Sequence, residues 1–299
     1  MRILISGASG LIGSALRTQL TQRGDETAAL VRHAPSAGDV QWSPGHALDP
    51  QKLFEFDAIV HLAGKNIAGS WSRKFKQEVR DSRVQGTHTI ATAAASSFRQ
   101  CGSPRAFIAA SAIGYYGNRG DEVLAETSAP GHGFLPDVCV EWEAAAGPAR
   151  ESGLRVAHMR IGVVLAKGGG ALPPLLLPFR LGLGGRIGSG RQYWSWVALE
   201  DVVGAFAFAL HNESVNGPVN VVAPHPARVS EFVQTLGDVL HRPTLLPLPA
   251  FAVRMLLGEM GQTLLLDSAN VLPAKLEAAG YGFIHPELKS ALRAVLDRD

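Results

Sequence analysis

Short apolar runs alternate with longer amphipathic stretches along the first two thirds of the chain. Ile3-Leu4-Ile5 stops just before Gly7 and predicts a buried strand. After Gly10, the spacing of Leu11, Ile12, Ala15, Leu16 and Leu20 predicts a helix. Further strands are predicted at Glu26–Val31, Asp57–Leu62, Ala106–Ala110 and Arg155–Leu165, with helices over 73–97 and 139–151 between them. Strands that alternate with helices argue for an α/β fold whose parallel sheet has right-handed crossovers.

From Gly168 the pattern changes. Three consecutive glycines, a Pro/Leu-rich segment over 172–178 and glycines at 182, 184, 185, 188 and 190 describe a flexible apolar region carrying Arg180, Arg186 and Arg191. A helix over 201–211 and a strand near Val219–Val222 predict a return to the sheet. Beyond it come a helix from Ser230 to Leu240 with Ser230 as N-cap, apolar turns over Pro243–Pro249, helices to about Leu266 and a terminal helix after Pro286. The expected division is a sheet domain of residues 1–167, rejoined by 197–223, and a smaller C-terminal lobe of 168–196 and 224–299.

Composition narrows the classes. With 46% hydrophobic and 18% charged residues, the 299-residue chain is folded and globular rather than disordered. A net charge of +2 gives no reason to expect nucleic acid or an anionic membrane as partner. The stretch Leu172 to Leu183 is broken by three prolines and Arg180 and is too short to span a bilayer. A first strand at residue 2 leaves no room for a signal peptide, and two cysteines without ligand spacing point to a reducing cytoplasm and no metal site.

The chemistry gathers at the ends of the predicted strands. Gly7, Gly10 and Gly13, spaced G-x-x-G-x-x-G between a strand and a helix, expose backbone N–H groups at the positive end of a helix dipole. That seat suits a pyrophosphate and makes the doubly wound sheet Rossmann-type. Ligands of such sheets lie beyond the carboxyl ends of the strands, which directs attention to Gly7–Gly13, Arg32, Ala63–Gly64, Ser111–Tyr116 and Gly162–Val164. NAD-binding chains usually carry an acid at the end of the second strand. Here Arg32 stands there, followed by His33, while Asp25 and Glu26 lie at the wrong end. A guanidinium suits a ribose 2′-phosphate, so NADP(H) is expected over NAD(H).

The glycine loop, His61-Leu62-Ala63-Gly64, Ser111 through Tyr116, Trp142-Glu143-Ala-Ala-Ala, Gly188 through Trp196 and the tail around Pro273 and Gly280-Tyr281 resemble the extended short-chain dehydrogenase/reductase superfamily. More narrowly, the chain resembles its atypical NADP-binding epimerase-family branch, called nucleoside-diphosphate-sugar epimerase-like. The resemblance implies cofactor contacts from Gly7, Gly10, Leu11, Ile12, Gly13, Arg32, Leu62, Ala63, Glu78, Arg83 and Val164. The superfamily pairs a serine with a tyrosine and a lysine four apart on one helix. Aligned on Trp142-Glu143, the tyrosine position holds Cys139 and the lysine position Glu143, while the serine is retained as Ser111. A carboxylate would raise a neighbouring phenol's pKa rather than lower it, so the usual proton-transfer couple is missing.

Tyr115 is the substitute expected beside Ser111, either as proton donor or orienting group, or as an aromatic packed under the nicotinamide. Cys139 reads as core filler and Arg160 as a structural ion-pair partner at the sheet end. Sugar-nucleotide epimerases carry an Arg-Asp pair and a histidine where this chain has Trp194, Ser195 and Ala198, which argues against a sugar-nucleotide substrate. Tyr193, Trp194 and Trp196 read as a flat apolar pocket or as aromatic packing between lobes. Two functions stand: an NADP(H)-dependent oxidoreductase or epimerase-like enzyme for a small carbonyl or hydroxyl compound, and a non-catalytic NADP(H)-binding redox sensor. The helix-pair homodimer usual in the superfamily is compatible with the resemblance.

Overall fold

The computed structural model describes residues 1–297, so the last two residues of the expected second lobe lie outside the described residues. The first strand, β1 (Arg2–Ser6), runs through the middle of the sheet because all three of its aliphatic side chains are buried. Ile3 and Ile5 face one apolar cluster and Leu4 the other, as the two-residue period of a strand requires. There follow α1 (Leu11–Gln22), β2 (Glu26–Val31), β3 (Val40–Gln41), β4 (Ala58–His61), α2 (Arg73–Cys101), β5 (Ala106–Ala112), β6 (Val123–Leu124), α3 (Phe134–Ala144), α4 (Gly147–Glu151) and β7 (Arg155–Ile161). The chain continues through β8 (Val163–Ala166), β9 (Gly169–Gly170), α5 (Leu172–Arg180), β10 (Tyr193–Trp194), β11 (Trp196–Ala198), α6 (Leu199–His211) and β12 (Gly217–Val221). Its last part holds β13 (Ala227–Arg228), α7 (Val229–Leu240), α8 (Ala250–Gly261), β14 (Asn270–Val271), α9 (Ala274–Ala278) and α10 (Leu288–Leu296).

Seven parallel strands form the central sheet in the order β12-β7-β5-β4-β1-β2-β3. β1 pairs with β2 on one side and β4 on the other, so the winding reverses there and opens a crevice beyond the carboxyl ends. One face is covered by α1 and α6, with Leu16, Leu20 and Phe206 over Ile3 and Ile5. The opposite face is covered by α2 and α4, whose Ile90, Ala94 and Ala149 meet Leu4, Ile59 and Phe107. A third cluster gathers Leu165, Leu172, Phe179, Trp194, Trp196, Phe232 and Leu292 around α5, α7 and α10. No helix among the described residues is long and apolar enough to cross a membrane.

Three expectations need correction. The helix expected over 139–151 is two helices, α3 and α4, the second starting at Gly147-Pro148, where proline supplies no N–H for the preceding turn. The strand expected over 155–165 breaks at Gly162: β7 ends in the main sheet, and β8 pairs instead with β11. Ser230 is not the N-cap of α7. Arg228 holds that position without a side-chain bond, and the first amides of the helix, Val229 N and Ser230 N, donate to the carbonyls of Gln192 and Gly190 at 2.9 Å each. Loop carbonyls from elsewhere in the chain satisfy the groups that a side-chain cap would have served.

Candidate functional site

The loop between β1 and α1 is shaped by contacts that leave no space for side chains. Gly7 has φ +70°, and a Cβ there would lie 2.9 Å from the backbone of Leu62 and Ala63 at the end of β4. At Gly13 a Cβ would sit 2.2 Å from the Gly7 carbonyl oxygen, so α1 can approach the loop only without one. Gly10 is the N-cap of α1; it contributes no side-chain cap, and the first turn has no acid. The N-terminal amides are thus left for a ligand, in a cradle that fits a pyrophosphate.

Ser6 ties this loop to the next strand end. Its Oγ accepts from the backbone N–H of Leu62 at 3.1 Å and of Ala63 at 3.2 Å, so its own proton goes to Nδ1 of His61 at 2.6 Å. His61 is fully buried, and burial pushes its pKa down to about 4, so the ring is neutral and carries its proton on Nε2. The Ser6–His61 pair escaped the sequence reading, because a histidine in an apolar run gives no sign of which strand its ring faces.

The other expected cofactor residues occupy the same edge with unequal freedom. Arg32 is exposed just after β2 and has no hydrogen bond or ion pair among the described residues. The side chain of Leu11 abuts Gly169 in β9, while Ala171 N donates to the Val164 carbonyl at 3.0 Å, so each residue borders the β8–β9 hairpin. Ile12 packs against the cluster under the sheet. Arg83 donates to the Lys65 carbonyl at 2.9 Å and lies 5.0 Å over the Trp142 ring, fixing the loop after β4; burial lowers its pKa. Glu78 is ion-paired with Lys65, whose hydrogen bond holds the carboxyl below its usual range. Its acceptors are directed to that lysine, and the helix spacing of Glu78 and Arg83 carried no trace of this.

At the end of β5 the structure replaces the missing couple with a buried network. Ser111 is 2% exposed and its hydroxyl donates to Glu143 Oε1 at 2.7 Å. Arg160 grips the same carboxylate with two bonds of 2.8 Å, to Oε1 and Oε2. Burial alone would pull the Arg160 guanidinium down; Glu143 outweighs it and holds the group charged. Arg160 also donates to the Tyr116 hydroxyl at 3.0 Å, and Tyr116 donates to Asn220 Oδ1 at 2.7 Å. Tyr116 is fully buried with its hydroxyl bonded internally, so it is part of the core, and burial raises its phenol pKa.

Tyr115 differs. The Arg160 guanidinium carbon lies over its ring, 3.4 Å from the centroid, and its hydroxyl makes no hydrogen bond among the described residues. The expectation that Ser111 polarises a substrate oxygen meets an obstacle, because its one proton is turned to Glu143. Arg160 is the structural partner expected of it. Cys139 is buried core: burial, with Glu143 nearby, pushes its thiol up to about 12. Trp194 and Trp196 are buried, Trp194 at 5.2 Å from the Phe232 ring, so these two pack between elements rather than line a pocket. Tyr193 lies under Arg228.

A doubly wound sheet with a glycine cradle at its switch point defines a dinucleotide-binding α/β protein. Residues 3–222 match the model described as the NAD dependent epimerase/dehydratase family, and the chain belongs to that family. Residues 248–295 also match a domain of unknown function, DUF1731. An epimerase family protein of Mycobacterium bovis is 43% identical over 97% of this chain and 96% of its own length. The human epimerase family protein SDR39U1 is 38% identical over 99% of this chain and 100% of its own. A crystal structure of a human SDR39U1 isoform with NADPH superposes with a TM-score of 0.91, at 36% identity over 100% of both chains.

Proposed function

We propose that this chain binds NADP(H) in the crevice above β1 and acts as an oxidoreductase or epimerase-like enzyme on a small carbonyl or hydroxyl compound. The observation that carries the reading is the uncapped, glycine-walled N-terminus of α1, and a free arginine stands at the end of the neighbouring strand. The amides after Gly10 would hold the pyrophosphate, Arg32 the 2′-phosphate, and Leu11, Leu62, Ala63 and Val164 the remaining walls. A bound nicotinamide supplies hydride exchange. The rest falls to the protein. Tyr115, whose hydroxyl has no hydrogen bond among the described residues and which lies beside Ser111 and Arg160 at the end of β5, holds or moves the proton on the substrate oxygen. Glu143 and Arg160 fix the plane of its ring from below, and Ser111 anchors Glu143 rather than touching substrate. The side composed of 168–196 and 224–297 receives the substrate. Its lack of a paired arginine and aspartate at 194–195 favours a small compound over a sugar nucleotide, and a cytoplasmic, homodimeric protein is consistent with this chemistry.

Calorimetric titration with NADPH and NADH tests the cofactor; tighter NADH binding, or no heat with either, overturns it. A carbonyl screen followed by the nicotinamide absorbance tests the reaction. Tyr115→Phe is expected to abolish turnover while leaving NADPH affinity unchanged. A non-catalytic NADP(H)-binding protein is the second reading, favoured by the Ser111 proton being committed to Glu143. Tight NADPH binding with no turnover of any carbonyl class selects it.

A further inference from the structure

The apolar surface of this protein is unevenly distributed. Of the thirteen large hydrophobic residues exposed among the described residues, nine fall within 177–183 and 245–257. These two stretches are neighbours. Gly185 bridges to Leu245 and Ile187 to Leu248, and Leu248 N donates to the Arg186 carbonyl at 2.8 Å. Each stretch contains a helix whose outward side is apolar. On α5, Leu177 is 67% exposed, and Leu181, which caps the helix four residues on, is 65% exposed. On α8, Phe251 and Met255, also four apart, are 66% and 73% exposed, while Val253 on the inner side is fully buried. A helix that is apolar on both sides is ordinarily covered on both, and a contiguous patch of this kind marks an interaction surface.

Charge says what kind of cover it takes. No Asp or Glu occurs from residue 168 to 199 or from 239 to 258, whereas Arg180, Arg186, Arg242 and Arg254 do; Glu259, past the kink at Gly258 in α8, is ion-paired with Lys76. All four are exposed, and none pairs with a carboxylate among the described residues. Two are held in place: Arg242 Nε donates to the Arg180 carbonyl and Arg254 Nε to Gln262 Oε1, each at 2.8 Å. Phenylalanine, methionine and arginine without lysine or acid is the composition of protein–protein interface centres. A second copy of the chain is disfavoured, since a two-fold contact through this patch would set arginines against arginines.

We infer that the outward side of α5 and α8 docks an acidic amphipathic helix of another protein, its apolar residues on Leu181, Leu245, Phe251 and Met255 and its carboxylates on the four arginines. The inference is independent of the cofactor reading.

The probe is a synthetic helix of about 18 residues with leucine at i, i+3, i+4 and i+7 and glutamate elsewhere, titrated by fluorescence anisotropy against the full chain. Binding is expected, and it should weaken about tenfold or more in Met255→Glu and in the double variant Arg180→Glu/Arg186→Glu. The same peptide with lysine for glutamate should not bind the native chain. Circular dichroism and an unchanged melting temperature establish that the variants are folded. Three results would overturn the proposal. The first is that the glutamate peptide fails to bind, or binds the variants equally well. The second is that phosphatidylglycerol vesicles bind the chain in a Met255-dependent way while the peptide does not. The third is concentration-dependent dimerisation that Met255→Glu abolishes.

Discussion

Arg32 and Cys139 show how far a single side chain's surroundings decide its chemistry. Arg32 has no internal partner, so its charge is available to a phosphate. Charge-assisted bonds of this kind contribute about 1.5–3 kcal/mol. Arg32→Glu is therefore expected to weaken NADPH binding roughly tenfold or more while leaving NADH binding little changed, by calorimetry on the two cofactors. Cys139, at the position where the resemblance to short-chain dehydrogenases would put a tyrosine, is 3% exposed and its thiol is pushed up to about 12. Cys101 is exposed. Titration of the native chain with a thiol-specific chromogen should show one fast-reacting cysteine, absent in Cys101→Ser. Rapid modification of Cys139 would contradict its burial.

Between elements, the Glu143–Arg160 pair joins α3 to β7, and Ser111 joins β5 to both. Both partners are largely buried, at 13% and 3% side-chain exposure. Glu143→Gln would leave a buried guanidinium without its counter-charge, at a cost of about 3–5 kcal/mol. Replacing both as Glu143→Leu/Arg160→Met removes the stranded charge and should be milder than the sum of the single changes. Urea unfolding of the four proteins in this cycle measures the coupling, and simple additivity would show that the pair holds nothing together. The β1–α1 junction is a second such joint. Gly13→Ala forces a Cβ to within 2.2 Å of the Gly7 carbonyl, which is expected to cost about 1–3 kcal/mol by overpacking and to lower NADPH affinity with it. Unchanged affinity would mean that the loop is not the pyrophosphate seat.

For the whole molecule, acid lability follows from two histidines. His61 and His158 are both held at about 4, chiefly by burial, against an ordinary value of 6.5. Below pH 6.5 the unfolded chain takes up these protons and the native chain does not. Stability is therefore full above 6.5, and it falls as pH drops toward about 4, by up to roughly 1.4 kcal/mol per pH unit for each histidine. Urea midpoints measured from pH 7 to pH 4.5 should show this decline, and a shallower one in His158→Leu. A flat profile would mean that the rings are not held neutral in the fold.

The sheet, its order of alternation and the glycine cradle were legible in the sequence, because strand and helix periods and a glycine triplet after an apolar run depend only on near neighbours along the chain. The break at Gly162 was not legible. Nor was the division of 139–151 into two helices, for neither Pro148 nor Gly162 says where the chain goes next. Glu143 illustrates the boundary best. Its place in the sequence shows that an ammonium is missing, but a distant strand supplies the arginine that neutralises it and the serine whose proton it takes. Local pattern therefore determined the layers and the cofactor seat. Which polar groups meet, which phenols stay free, and which apolar faces remain uncovered were decided only by tertiary structure, since these depend on residues brought together from far apart in the chain.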